Sequence, residues 1–212
     1  MSIRSGNLCL SAVTMLLSNQ FHSIDSIRAL TAHLWMALVF VWLAMALMTK
    51  PTVQRQSSKG RIWYLFMLVC GAYLVFSKDV GVSWLNLALF PVHENLAISG
   101  FVLACVGILF SIWARLILGS NWSGAVTIKQ NHTLIQRGPY RIVRHPIYTG
   151  ILLSLMGTVL QYGLMRSLLG WLLVGLGLKM KSLMEEQFMI QRFGEEYTAY
   201  RQHVRALIPF LL

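Results

Sequence analysis

Gly138-Pro139-Tyr140-Arg141-Ile142-Val143-Arg144-His145-Pro146-Ile147-Tyr148-Thr149-Gly150 is the stretch whose reading decides the fold. It closes a polar segment and opens an apolar run. Pro146 stands where a helix begins, because a first-turn residue needs no N–H partner. Arginine, histidine and tyrosine side chains crowd this helix mouth, and two explanations fit them. Arg and Tyr anchor membrane helices at the headgroup level, which would make the stretch an interfacial collar. Ionisable groups at membrane depth are costly and mark function, which would make it a ligand site.

The surrounding composition points to a bilayer. Of 212 residues, 56% are hydrophobic and 12% charged, against about 25% charged in soluble domains. The net charge of +11 is gathered between apolar runs, as in the cytoplasmic loops of membrane proteins. Membrane lipids with anionic headgroups are therefore its expected partner. Nucleic acid is not, since the basic residues form no soluble basic face. Cys9, Cys70 and Cys105 lie apart without a CxxC pair, and the six histidines show no HxxxH or HExxH spacing. Neither a disulfide framework nor a metal site is expected.

In chain order, residues 1–27 read as an interfacial helix or a disordered tail. Leu30–Met48 is long enough, at about 20 residues, to span the hydrocarbon core. Lys50, Arg55, Lys59 and Arg61 follow without an acid, which places that loop in the cytoplasm. Ile62–Ser77 is the second span and Leu96–Leu118 the third. The long polar stretch Gly119–Arg144 is again cytoplasmic. Pro146–Tyr162 forms the fourth span, a tight turn passes through Gly163, and a fifth helix runs from Ser167 to a cap at Gly194. Tyr197, Tyr200, Val204 and Leu207 recur at helical spacing, predicting a short amphipathic helix. The expected fold is all-α: an integral membrane protein of five transmembrane helices, the last two forming a hairpin. A prokaryotic inner membrane is the expected location, with the site on the cytoplasmic side.

Hairpin geometry brings candidate residues together. At about 1.5 Å per residue, positions equally far from the Gly163 turn lie at equal depth. Arg144, His145 and Tyr148 then stand level with Lys181, Glu185 and Glu186. Cations, an imidazole, phenols and carboxylates thus meet at the cytoplasmic membrane surface. Glu185 or Glu186 can neutralise Arg144 as a plain ion pair, or the group can form a pocket for a polar, charged cofactor.

At these residues the chain resembles the isoprenylcysteine carboxyl methyltransferase family of membrane enzymes. The matching blocks are His132-Thr133-Leu134-Ile135, Gly138-Pro139-Tyr140-Arg141, Arg144 to Gly150, Glu185-Glu186, Phe193-Gly194-Glu195-Glu196-Tyr197 and Ile208-Pro209. The resemblance implies methyl transfer from S-adenosylmethionine to a lipophilic small-molecule or prenylated acceptor. It implies a catalytic region over residues 119–212, with a cofactor-covering loop, behind an N-terminal tail and three helices in residues 1–118. It further implies cofactor contacts from His132, Thr133, Leu134, Ile135, Tyr140, Arg144, His145, Pro146, Ile147, Tyr148 and Glu185. Lys181, Glu186 and Arg144 are the candidate catalytic residues. The family carries an arginine about one turn before its Glu pair, where this chain has Lys181, and lysine lacks the bidentate fork that suits a carboxylate. Two other readings stand beside this one: an NADPH-dependent membrane reductase of the sterol-reductase type, and a non-catalytic membrane module. An apolar acceptor is expected to arrive sideways from the bilayer, between the third and fifth helices.

Overall fold

The computed structural model describes residues 3–46, 52–55, 58–122, 127–129 and 133–208. Helix α1 (Ile3–Ala46) is followed by a short strand β1 (Thr52–Arg55) and by α2 (Ser58–Phe76). Then come α3 (Glu94–Leu118), strand β2 (Thr127–Lys129), α4 (Pro146–Tyr162), α5 (Met165–Phe193) and α6 (Glu195–His203).

Among the described residues three helices are long and apolar enough to cross a membrane: Ser23–Ala46 within α1, all of α3 and all of α5. The apolar run Gly60–Phe76 of α2 is shorter. Phe40, Leu43, Phe66, Val69, Leu109 and Leu116 are exposed on the outer faces of α1, α2 and α3. An apolar surface of that extent belongs against lipid, so the chain is an integral membrane protein.

Small residues set the helix packing. A Cβ added to Gly107 of α3 would lie 2.4 Å from the Gly150 carbonyl oxygen of α4, and one on Gly100 would lie 2.5 Å from that of Gly157. Backbones therefore touch along the α3–α4 seam, as in membrane interfaces built on small residues. Serines tie the same seam: Ser154 donates to Ala104 O at 3.2 Å, and Ser111 to Ile147 O at 3.1 Å. A second seam joins α2 to α5, where a Cβ on Gly71 would sit 2.7 Å from Gly170 O. The hairpin of α4 and α5 is thus held less by its own contacts than by two outside partners, α3 and α2. Because α4 packs against both α3 and α5, it fills the space expected to admit a lipophilic acceptor between them.

The turn after α4 follows from Gly163, whose φ of 63° is left-handed and whose N–H caps Val159 O at 2.8 Å. Glycine adopts that conformation without a Cβ penalty. Leu89 N–H and Met165 N–H bond across to Gly163 O and Leu87 O, fastening the outer loop onto the turn.

Three expectations change. Residues 3–22 belong to one continuous helix with the first span rather than to a separate tail. The fold is not purely helical, because β1 and β2 pair antiparallel and join the loop after α1 to the loop after α3. The C-terminal helix stops at His203, so Val204 and Leu207 do not share a helical face with Tyr197 and Tyr200. Instead the segment after α6 runs beside Val143–His145, with Arg205 in a parallel bridge to Val143. Arg144 N–H donates to Arg205 O at 2.8 Å, and His145 N–H to Ala206 O at 3.0 Å. The backbone carbonyls and N–H groups of the Arg144–His145 corner need partners, and this pairing was worth more than another helical turn.

Candidate active site

Arg144 ends the short 3-10 turn Gly138–Arg141 and its following residues, and His145 caps α4 just ahead of Pro146. Tyr148 lies one turn into α4. Lys181, Glu185 and Glu186 share the C-terminal half of α5, residues three and four apart being neighbours on a helix face. The depth argument from the Gly163 turn is met: the structure brings all six together.

Glu186 is the anchor of the cluster. Its Oε1 accepts from Arg144 Nε at 2.9 Å and from Arg144 Nη2 at 2.6 Å, and lies 3.2 Å from His145 Nε2. Its Oε2 stands 3.5 Å from Arg201 Nε of α6. Both Arg144 and Glu186 side chains are buried. Arg144 Nη1 also donates to the carbonyls of Arg201 and Val204, capping the end of α6. Thr149 Oγ1 donates to Leu207 O at 2.6 Å, so the C-terminal segment is stitched to α4 at several points.

Glu185 faces a different group. It accepts from the Tyr148 hydroxyl at 2.7 Å, lies 3.5 Å from His145 Nδ1, and stands 3.8 Å from Lys181 Nζ. The His145 and Tyr148 rings stack in parallel planes, 5.4 Å between centroids and 2° apart. His145 therefore bridges the two carboxylates, one per ring nitrogen. Burial pulls its pKa down, but the hydrogen bonds and charges of Glu185 and Glu186 outweigh burial and hold it above the ordinary value. The Lys181 ammonium lies 5.3 Å from the centroid of the Tyr148 ring and 5.9 Å from that of Tyr64, which α2 supplies.

Other expected site residues serve as walls. Tyr140 is buried, its hydroxyl donating to Ala114 O at 3.4 Å and its carbonyl accepting from Tyr200 at 2.5 Å. Burial raises the Tyr140 phenol far above its usual range, so it stays a neutral donor. Pro146 and Ile147 are buried in the α3–α4 seam. Ile135 packs with Tyr140, Ile147 and Tyr148 in one apolar cluster, which also takes in Trp42 and Trp122. Thr133 is exposed and Leu134 half-buried, while His132 lies outside the described residues. Among the described residues no group of three or more His, Cys, Asp or Glu is placed to hold a metal ion.

Two contributors escaped the sequence reading. Arg201 was one more exposed arginine in a basic tail, with nothing local to tie it to Glu186. Tyr64 lay inside an apolar run three residues after Arg61, where an aromatic reads as an ordinary interfacial anchor.

The phospholipid methyltransferase family model matches residues 96–196. Protein-S-isoprenylcysteine O-methyltransferase of Schizosaccharomyces pombe is 31% identical over 167 residues, covering 73% of this chain and 70% of that protein. A probable protein-S-isoprenylcysteine O-methyltransferase of Oryza sativa subsp. indica is 30% identical over 115 residues, covering 53% of this chain and 60% of its own length. The Xenopus laevis protein-S-isoprenylcysteine O-methyltransferase is 30% identical over 119 residues, or 55% of this chain and 41% of that one. Among solved structures, a eukaryotic intramembrane Ras methyltransferase, isoprenylcysteine carboxyl methyltransferase, aligns with a TM-score of 0.47 at 23% identity, over 75% of this chain and 55% of that one. The sterol-reductase alternative finds no support among these relatives. The match to the fission-yeast protein runs through most of both sequences, and on it this chain belongs to the isoprenylcysteine O-methyltransferase family.

Proposed function

We propose that this chain transfers the methyl group of S-adenosylmethionine to a lipophilic acceptor at the cytoplasmic face of a membrane, the acceptor carrying a carboxylate as in an isoprenylcysteine-like compound. The observation that carries this reading is the buried group His145–Tyr148–Glu185–Lys181 at the mouth of α4 and α5. Ionised groups withdrawn from water at membrane depth are retained where they bind or react. The relatives add the reaction class. In this reading α1 to α5 all cross the bilayer, residues 119–212 carry the catalytic region, and the basic loops after α1 and α3 lie in the cytoplasm.

The donor set fits S-adenosylmethionine. Its ammonium needs an anion and its ribose needs acceptors, and Glu185 suits either. His145, with one ring nitrogen on each of Glu185 and Glu186, holds that carboxylate in position. Ile135 and Leu134, with Thr133 and His132 ahead of them, suit the cover of the adenine. Bound there, the cofactor supplies an electrophilic methyl group on a cationic sulfur. Pro146, Ile147 and Tyr140 hold the wall against which these side chains are set.

The acceptor's chemistry follows from what Glu186 is doing. An amine acceptor needs a base to remove its proton, a role that would fall to Glu186. Its carboxylate is committed to Arg144 and His145, so both Glu186 and Arg144 act here as positioning residues. A carboxylate acceptor is ionised at neutral pH and needs only orientation, which Lys181 supplies as a point charge. Most of the acceleration in an in-line displacement then comes from holding the two reactants in register.

The test is calorimetric titration of the purified protein with S-adenosylhomocysteine and, separately, NADPH. The expected result is micromolar binding of the first and none of the second, with His145→Ala and Glu185→Ala each weakening it. NADPH binding without S-adenosylhomocysteine binding would overturn the reading.

A further inference from the structure

Lys181 is an odd choice for a group that must orient an anion. Its ammonium is a compact point charge on a flexible four-carbon stem, with none of arginine's planar geometry. To act as a director it must itself be held. Glu185 holds it from one side at 3.8 Å, yet Glu185 also serves the Tyr148 hydroxyl and His145. Tyr148 offers its ring at 5.3 Å, and that ring is already stacked on His145. A further wall is Tyr64, whose ring centroid is 5.9 Å from the ammonium and which is 1% exposed.

The approach of Tyr64 is built into the helices. Gly177 lies one turn before Lys181, and a Cβ there would come within 3.2 Å of the Tyr64 carbonyl oxygen and of Met67 and Leu68 side-chain atoms. The missing side chain lets the α2 backbone press onto α5 at the level of the ammonium. Leu68, one turn further along α2, packs against the buried cluster of Val75, Leu155, Val174 and Leu178, as do Tyr148 and Ile151. A charged head at Lys181 would therefore find the apolar flank of α2 beside it. Tyr64 also lies outside residues 96–196, the part matched by the family model.

On the methyltransferase reading above, we infer that Tyr64 is an acceptor-positioning residue. Its ring and that of Tyr148 form a two-walled aromatic seat that fixes the Lys181 ammonium, and the ammonium in turn fixes the anionic head of a lipid-tailed acceptor. The cofactor side of the site is built from α4 and its preceding loop; the acceptor side is built from α2.

The test compares Tyr64→Leu, Tyr64→Phe and Trp63→Leu, using S-farnesylcysteine as acceptor probe and S-adenosylhomocysteine calorimetry alongside. Loss of a desolvated cation–π contact predicts that Tyr64→Leu raises the acceptor KM about tenfold, with S-adenosylhomocysteine affinity within about twofold of the parent. Tyr64→Phe, which keeps the ring, restores KM to within about threefold of the parent value. Trp63 is exposed on the lipid side, and its leucine variant behaves as the parent. An unchanged KM in Tyr64→Leu overturns the inference. So does a cofactor affinity that falls in step with KM, which would place Tyr64 in the cofactor pocket. A parent protein that binds S-adenosylhomocysteine but leaves the farnesyl probe unmethylated removes the carboxylate-acceptor role of Lys181, and Tyr64's role with it. A parent that fails to bind S-adenosylhomocysteine sinks the methyltransferase reading itself.

Discussion

At the end of the bundle far from the site, Arg28 and Arg166 flank the ring of Tyr162 and donate to backbone carbonyls, Arg28 also pairing through Nη1 with the exposed Asp25 at 3.0 Å. Arg28 donates through Nε and Nη2 to Gln161 O, at 3.1 and 2.8 Å, and Arg166 donates to Leu74 O and Lys78 O, at 3.1 and 3.3 Å. Arg115, at the other end of α3, does the same to Met45 O and Gly119 O. Each caps a helix end whose last carbonyls have no partner within the helix and, in a bilayer, no water either. Arg144 differs. It too caps a helix, α6, but its main partner is a carboxylate, and that carboxylate is shared with a histidine. Of the seven acidic residues, only Glu185 and Glu186 lie in such a cluster. The contrast separates two uses of charge: cation on carbonyl closes a helix, while cation on a buried carboxylate builds a site.

The largest expected effect tests that distinction at its centre. Glu186→Ala strands Arg144 and His145 without their shared partner, and breaking a buried ion pair from one side costs about 3–5 kcal/mol. Unfolding in detergent should show a loss of that order, with Glu186→Gln retaining part of it as a neutral acceptor. A loss no greater than that of the exposed Glu196→Ala would mean that the cluster is not buried in the membrane protein as it exists.

A smaller loss is expected where the partner is a carbonyl. Arg166→Met keeps the apolar stem and leaves the Leu74 and Lys78 carbonyls unpaired, a cost of about 1–3 kcal/mol. Because Arg166 is remote from the mouth of α4, S-adenosylhomocysteine affinity measured by calorimetry should not change. If affinity falls along with stability, the two ends are coupled and the contrast drawn above is too sharp.

The sequence carried the hairpin and the level at which its charged residues meet, because both depend only on rise per residue and on Gly163 and Pro146 as punctuation. It carried the α4 boundaries for the same reason. It did not carry the partners of that hairpin. Gly100, Gly107, Gly150 and Gly157 look like scattered glycines until α3 and α4 are laid side by side. The apolar spacing of Val204 and Leu207 fits a helix, and nothing in that spacing tells that the carbonyls of Arg205 and Ala206 pair instead with the N–H groups of Arg144 and His145. Tyr64 was invisible for a similar reason, since nothing in an apolar run says which neighbour an aromatic faces.

The mildest effect should come from pH. His145 is bounded by Glu185 and Glu186 on α5, with Arg144, Tyr148 and Lys181 around them. Burial opposes its protonation, but the two carboxylates prevail, and the folded-state pKa stands above the ordinary value. The unfolded value is about 6.5. The bridge's contribution is therefore fully present below about 6.5, and it declines as pH climbs through the raised folded value. Above it the neutral ring can donate to only one carboxylate, and the other loses a partner. Stability and S-adenosylhomocysteine affinity should both fall with rising pH, by a factor of about three to ten in affinity, or roughly 1 kcal/mol. His145→Gln carries no charge to lose, so its affinity should start lower and stay flat across the same range. A parent profile as flat as the variant's would show that the imidazole does not change its charge across this range, so that its titration sets neither stability nor affinity there.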